Sequence, residues 1–136
     1  MIAAESPDAD ELVALYESVG WSAYTRDRAT LVAAVGASYC VLTARSDAGD
    51  LIGLLRAISD GHTIAYVQDI LVSPAHHRRG IGGALLDDFV ARVPQIRQVV
   101  LITDAEPGQR AFYESRGFVE AHDVAPEPLR SFVRLR

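Results

Sequence analysis

The stretch Val72–Leu86, VSPAHHRRGIGGALL, constrains this chain more than any other. Val72 closes an apolar run, and Pro74 cannot continue a β-ladder because it has no N–H to donate. His76, His77, Arg78 and Arg79 follow, and then Gly80, Ile81, Gly82 and Gly83. Ile81, Leu85, Leu86, Phe89 and Val93 recur at helical spacing, and Pro94 marks the stop. The pattern predicts a strand end, a short loop and the first turns of a helix. Arginines and glycines at such a handover point to an anion site. The first N–H groups of a helix have no internal partner, and the macrodipole adds partial positive charge there. Glycine lets phosphate oxygens approach the backbone with no Cβ in the way.

Three anion sites compete. A P-loop needs a lysine after its second glycine, and the chain contains no lysine. A dinucleotide fold wants G-x-G-x-x-G, but Leu85 stands where the third glycine belongs. The third fits: His77-Arg78-Arg79-Gly80-Ile81-Gly82 resembles the [QR]-x-x-G-x-[GA] pyrophosphate loop of the GNAT N-acetyltransferase superfamily, preceded by V-x-P as in that family. His77 departs from the usual Gln or Arg at a position the family uses largely through its backbone. A surface turn with a glycine cap is the plainer alternative.

A second block supports the resemblance. Arg110-Ala111-Phe112-Tyr113-Glu114-Ser115-Arg116-Gly117-Phe118 is similar to the family's A-x-x-[FL]-Y-x-x-x-G-F segment. Taken alone, Tyr113 reads as an amphipathic core residue; beside a pyrophosphate loop upstream, the resemblance implies a general acid near the acyl-CoA sulfur. Glu106 replaces the asparagine that often contacts the cofactor in that family. Gly20-Trp21, Arg56 with Ser59-Asp60-Gly61, and Gln68-Asp69-Ile70-Leu71-Val72 look like the small GNAT branch that includes plastid-type amine and protein acetyltransferases.

Length and composition set the frame. At 136 residues, 49% hydrophobic and 23% charged, the chain reads as one soluble globular domain over 1–136. A net charge of −5 argues against nucleic acid, whose binders carry a basic footprint. No apolar run approaches a membrane span, and MIAAESPDAD lacks the basic and apolar regions of a secretory signal, so the expected location is the cytoplasm. The single cysteine, Cys40, excludes an internal disulfide and reads as a buried core thiol. His76, His77 and His122 have no metal-ligand spacing, so no metal is expected.

Along the chain, Ile2–Ala4 suits an edge strand, and Ser6-Pro7-Asp8 looks like a cap with proline at the first helical position. A helix through Leu12, Leu15, Tyr16 and Val19 ends at Gly20, and a loop holds Trp21 and Tyr24. Thr25 or Asp27 caps a second helix ending near Gly36. Strands are predicted over Tyr39–Arg45, Leu51–Ile58, His62–Val72 and Val99–Thr103, then a helix over Gln109–Arg116 and two last strands over Phe118–His122 and Leu129–Leu135. This order implies an α/β class fold, a mixed, mostly antiparallel sheet with helices on both faces. It matches the GNAT fold in order and length, with the sheet splayed at the cofactor site.

The resemblance implies acetyl-CoA as co-substrate. Its pantetheine would pair with Ile70, Leu71 and Val72, and the backbone from His77 through Arg78, Arg79, Gly80, Ile81 and Gly82 to Gly83 would hold its pyrophosphate. Trp21 and Tyr24 lie where the family borders its acceptor. Asp69, the one carboxylate near the end of the central strand, reads either as a base or as a structural hydrogen-bonder. Strand alternation puts Tyr66 and Gln68 on one face, able to hold a water, and Asp69 on the other. The expected function is transfer of acetyl from acetyl-CoA to a primary amine by direct attack. A catalytically silent acyl-CoA sensor and an acetyltransferase of protein N-termini or lysines are the alternatives. A small amine or a peptide amine is the partner, with no nucleic acid and no membrane; a homodimer is also compatible.

Overall fold

A computed structural model describes all of residues 1–136. Five strands form one sheet in the order β1-β2-β3-β4-β5: Ile2–Ala4, Cys40–Arg45, Leu51–Ser59, Ile64–Val72 and Gln98–Leu101. The first three pairings are antiparallel and β4–β5 is parallel, so the predicted mixed sheet is present. The helices are α1 Ala9–Ser18, α2 Ser22–Thr25, α3 Arg28–Gly36, α4 Ile81–Arg92 and α5 Pro107–Glu114. Residues Met1–Ile102 make one compact unit, with the sheet and α1–α4; Thr103–Arg136 make a second, with α5.

Local chemistry sets the helix ends. Asp8 caps α1, its Oδ1 accepting from the Asp10 and Glu11 N–H groups, so the cap is Asp8 rather than the expected Ser6. Gly20, at φ +75°, closes it in the left-handed conformation. Asp27 caps α3 through the Thr30 N–H, whereas Thr25 ends the single turn α2 in what the sequence suggested was a plain loop. α4 stops at Arg92, two residues before Pro94, as proline requires.

Each face of the sheet is covered by different helices. On one, Leu54 and Leu71 pack with Leu12, Leu15 and Tyr16 of α1 and Leu31 and Val35 of α3. On the other, Gly53 gives α4 its seat: a Cβ there would stand 3.1 Å from Ile81 Cγ2 and 3.3 Å from Leu85 Cδ1. Leu85, Leu86 and Phe89 are fully buried. Cys40 is half-buried, and burial pushes its thiol up, in keeping with a packing role.

Two features depart from expectation. Thr63 and His62 belong to the turn instead of β4, because Asp60 Oδ1 draws in both of their N–H groups. The two last strands are absent: Ala121–Asp123 is a short 3-10 turn and residues 124–136 form no regular element. Apolar and β-branched residues are only a latent strand until another strand supplies partners. Phe132 and Leu135 remain almost wholly exposed.

Candidate active site

The site in the first unit is built on the second half of β4. Pairing with β5 stops at Val67↔Leu101, while β4 continues to Val72. On its other side β4 stays paired with β3 through Gly53↔Val72. The Ser73 N–H donates to Ile52 C=O at 2.8 Å, so Ser73 and, two residues back, Leu71 turn their main-chain groups toward β3. Ile70 and Val72 therefore point theirs away from β3, along the edge that β5 has left. This refines the expected pantetheine contact: Ile70 and Val72 offer main-chain groups, and Leu71 offers only its buried side chain.

The loop after β4 turns through Pro74–His76 as a 3-10 turn and reaches α4 by two left-handed residues. Arg78 has φ 61° and Gly80 φ 75°. Left-handed backbone costs a non-glycine residue about 1 kcal/mol or more, so Arg78 is a strained position held by its surroundings. His77 Nε2 lies 2.8 Å from Val72 C=O, tying the loop back to the strand. No side chain caps α4. Its ladder begins with Ala84 N–H donating to Gly80 C=O, and the N–H groups of Ile81 and Gly82 lie ahead of that bond. His76 Nδ1 is buried with no hydrogen-bond partner. A Cβ on Gly80 would meet nothing within 4 Å. An open helix N-terminus, exposed Arg78 and Arg79, and an orphaned polar atom fit a pyrophosphate, so the residues present suit the expected nucleotide.

On the sheet face under α1 and α2, β4 carries a bulge. The register passes from Arg56↔Asp69 to Ala57↔Val67, leaving Gln68 as the additional residue. The bulge overturns the simple alternation. Gln68 Nε2 donates to the Tyr24 hydroxyl at 3.0 Å, and that hydroxyl donates to Asp69 Oδ1 at 2.8 Å, so Gln68 and Asp69 share one network. Tyr16 donates to Asp69 Oδ2 at 2.8 Å, and Arg56 Nε donates to the same oxygen. The Arg56 and Asp69 side chains are 8% and 2% exposed, so this is a buried ion pair. Burial pushes the Tyr16 and Tyr24 phenols up, with the Asp69 charge adding to it, and both stay protonated. Burial works against the Arg56 cation, but its bond to Asp69 prevails and its pKa is raised.

Trp21 stands edge-on to Tyr16 at 5.9 Å between ring centroids and tilted to Tyr24 at 6.0 Å. Both Trp21 and Tyr24 are partly exposed while packing on the core. Tyr66, opposite Ile58, is half-buried. Sequence reasoning did not place Tyr16, Arg56 and Gly53 in the site. Its available signal was the lone arginine in the apolar run LIGLLRAIS, facing the lone carboxylate in VQDILV.

In the second unit, Tyr113 lies in α5, edge-on to Phe112 at 4.9 Å and Phe118 at 6.0 Å. Gly117, at φ 84°, terminates the helix, and the Phe118 N–H returns to Tyr113 C=O at 3.1 Å. Burial pushes the Tyr113 phenol up, and a hydrogen bond from Thr103 offsets part of that. Glu106, the departure from the family pattern, precedes Pro107 at the start of α5 and caps nothing with its side chain.

Comparison with known proteins places this geometry. A family model described as an acetyltransferase (GNAT) domain matches residues 37–120. The chain is 32% identical over 123 residues to "Histone acetyltransferase TAP1" of Glycine max, covering 82% of this chain and 52% of that protein. It is also 32% identical over 132 residues to "GCN5-related N-acetyltransferase 2, chloroplastic" of Arabidopsis thaliana, covering 82% of this chain and 50% of that protein. The chain thus spans about half the length of these curated relatives. A GNAT-family acetyltransferase of Streptococcus pneumoniae superposes with a TM-score of 0.82 at 25% identity, covering 100% of this chain and 97% of that one. An aminoglycoside 6'-N-acetyltransferase complexed with coenzyme A shares the fold at a TM-score of 0.67 and 20% identity, covering 79% of this chain and 64% of that one.

Proposed function

The chain belongs to the GNAT acetyltransferase family, and from that premise we propose that it moves an acetyl group from acetyl-CoA to a primary amine by direct attack. The observation that carries the proposal is the junction of β4 and α4. A strand edge open at Ile70 and Val72 leads, through a loop of arginine and glycine, into an uncapped helix N-terminus. An extended diamide and a diphosphate need those two surfaces in that order.

Acetyl-CoA, when bound, supplies an activated acyl carbon; the amide N–C bond forms as the C–S bond breaks. The chain's residues bind, orient and manage protons. Tyr113, its phenol raised by burial, holds a proton at neutral pH and is the proposed donor to the departing sulfur. An alkyl ammonium titrates near ~10.4, so the amine gives one proton to water before attack and the second to water as the amide forms. Both oxygens of Asp69 already accept hydrogen bonds, which favours a positioning role over that of base. On this reading Asp69 fixes the Tyr24 hydroxyl, and Tyr24, Gln68, Trp21 and Tyr66 receive the acceptor.

A second reading has specific support: the soybean relative is named for histones, so a lysine or N-terminal amine of a protein is the alternative acceptor. The test is acetyl-CoA consumption across polyamines, arylalkylamines, amino acids, aminoglycosides and peptides. Turnover confined to peptides selects the second reading. Binding of CoA with no turnover on any amine would leave a sensor.

A further inference from the structure

We propose that the His77 side chain is a positioning residue for the nucleotide site, clamping the loop to the open edge of β4 through Val72. The inference rests on the reading of that edge as an acetyl-CoA site. Main-chain groups of Ile70 and Val72 face away from β3, and beyond Val67 β5 no longer pairs with them. An open edge has no inherent end, and an extended ligand can slide along it by one residue pair. The His77 ring stands at its end: Nε2 sits 2.8 Å from Val72 C=O and occupies one of that oxygen's two acceptor positions. A ligand amide then meets the Ile70 N–H and C=O and the Val72 N–H free but the Val72 C=O already engaged, which favours one register.

The same bond acts on the loop. His77 immediately precedes Arg78, whose φ of 61° is unfavourable for a side-chain-bearing residue, and Gly80 follows in the left-handed conformation at φ 75°. A tether on one side of the strained residue and the start of α4 on the other keep this turn set. The N–H groups of Ile81 and Gly82 are thereby aimed before any anion arrives, and preorganisation of this kind lowers the cost of binding. A carbonyl can only accept, so in the neutral ring the proton resides on Nε2 and Nδ1 is bare. Where the family pattern has Gln or Arg, a histidine here does more than lend its backbone.

The test compares His77→Ala, His77→Phe, which keeps a ring without the donor, and His77→Gln, which restores a donor on a flexible stem. Calorimetric titration with CoA should show affinity weakened roughly 3- to 10-fold in Ala and Phe, the effect of one exposed hydrogen bond, and within about 2-fold of wild type in Gln. Amide exchange over residues 76–82 without ligand should quicken in Ala and Phe and not in Gln, with thermal midpoints unchanged. The ring nitrogen shifts of wild type should report the Nε2–H tautomer. Equal CoA affinity in all four proteins, or an Nδ1–H tautomer, overturns the clamp. Wild type that fails to bind CoA overturns the functional reading instead, and loop exchange then still decides whether His77 clamps Val72.

Discussion

Tyr16 and Asp69, separated by 53 residues of sequence, meet in a buried hydrogen bond of 2.8 Å between the phenol and Oδ2. Arg56 donates to the same oxygen, and Tyr24 takes the other. One carboxylate therefore joins α1, α2, β3 and β4 under the face that Trp21 and Tyr24 border. Its charge is matched by a single buried guanidinium, which makes the pair costly to break and close to neutral to the rest of the site.

Asp69→Asn removes the counter-charge and leaves Arg56 buried and unpaired. The expected loss is about 3–5 kcal/mol of stability by chemical denaturation. Replacing Arg56 and Asp69 with apolar residues of similar volume, together with Tyr16→Phe so that no buried hydroxyl loses its acceptor, should recover most of it. Among folded molecules of Asp69→Asn, the acceptor KM should rise with the shape of the pH–rate profile retained. A profile displaced to higher pH would assign Asp69 as the base.

Tyr113→Phe keeps the ring between Phe112 and Phe118 and deletes the hydroxyl. Stability and CoA affinity should barely change. Loss of general acid help should lower kcat by roughly 10²–10⁴-fold, nearer the lower end because a thiolate leaves readily. Single-turnover measurements with an acceptor for which chemistry limits the rate check it, and a Phe variant at full rate would return Tyr113 to packing alone.

Tyr24→Phe severs the link between Gln68 and Asp69 while keeping the aromatic contacts with Trp21 and Tyr16. It should cost about 0.5–1.5 kcal/mol in stability and raise the acceptor KM without changing that for acetyl-CoA. Steady-state kinetics with both substrates varied separates the two.

Gly53→Val places methyl groups where Ile81 and Leu85 already stand, 3.1 and 3.3 Å from even a bare Cβ. The Ile81 and Leu85 side chains have to give way, and where they carry the first turn of α4 with them the KM for acetyl-CoA should rise while that for the acceptor stays near wild type. Unchanged cofactor affinity would show that β3 does not set the position of the α4 N-terminus.

Alkaline pH should weaken the fold. The Tyr16 and Tyr24 phenols titrate above their ordinary value of about 10 when folded, chiefly because of burial. Above that value the unfolded chain has lost protons that the folded chain retains. Their contribution to stability is therefore full below about pH 10 and falls as pH rises beyond it. Denaturation midpoints from pH 8 to 11 should show the decline, with a shallower slope in Tyr16→Phe.

The anchor loop, the helix it opens, the glycine that ends α5 and the order of the first five strands were legible in the sequence because their causes are local. Pro74 stops a ladder, Gly80 permits a left-handed turn, Gly117 closes a helix, and apolar periods of 2 and 3.6 name the elements. Asp69 and Arg56 were each visible as lone charges in apolar runs, but nothing local says that they pair. That depended on the register of β3 against β4 and on a one-residue bulge at Gln68, which put Gln68 and Asp69 in one network where strict alternation had separated them. The last two strands failed for the complementary reason. Leu129–Leu135 has the apolar and β-forming content of a strand, but a strand exists only where a neighbour accepts its hydrogen bonds, and that is a property of the assembled sheet. Residue identity names which side chains can carry the chemistry; folding selects which of them meet, because register and burial are settled only when distant segments pack.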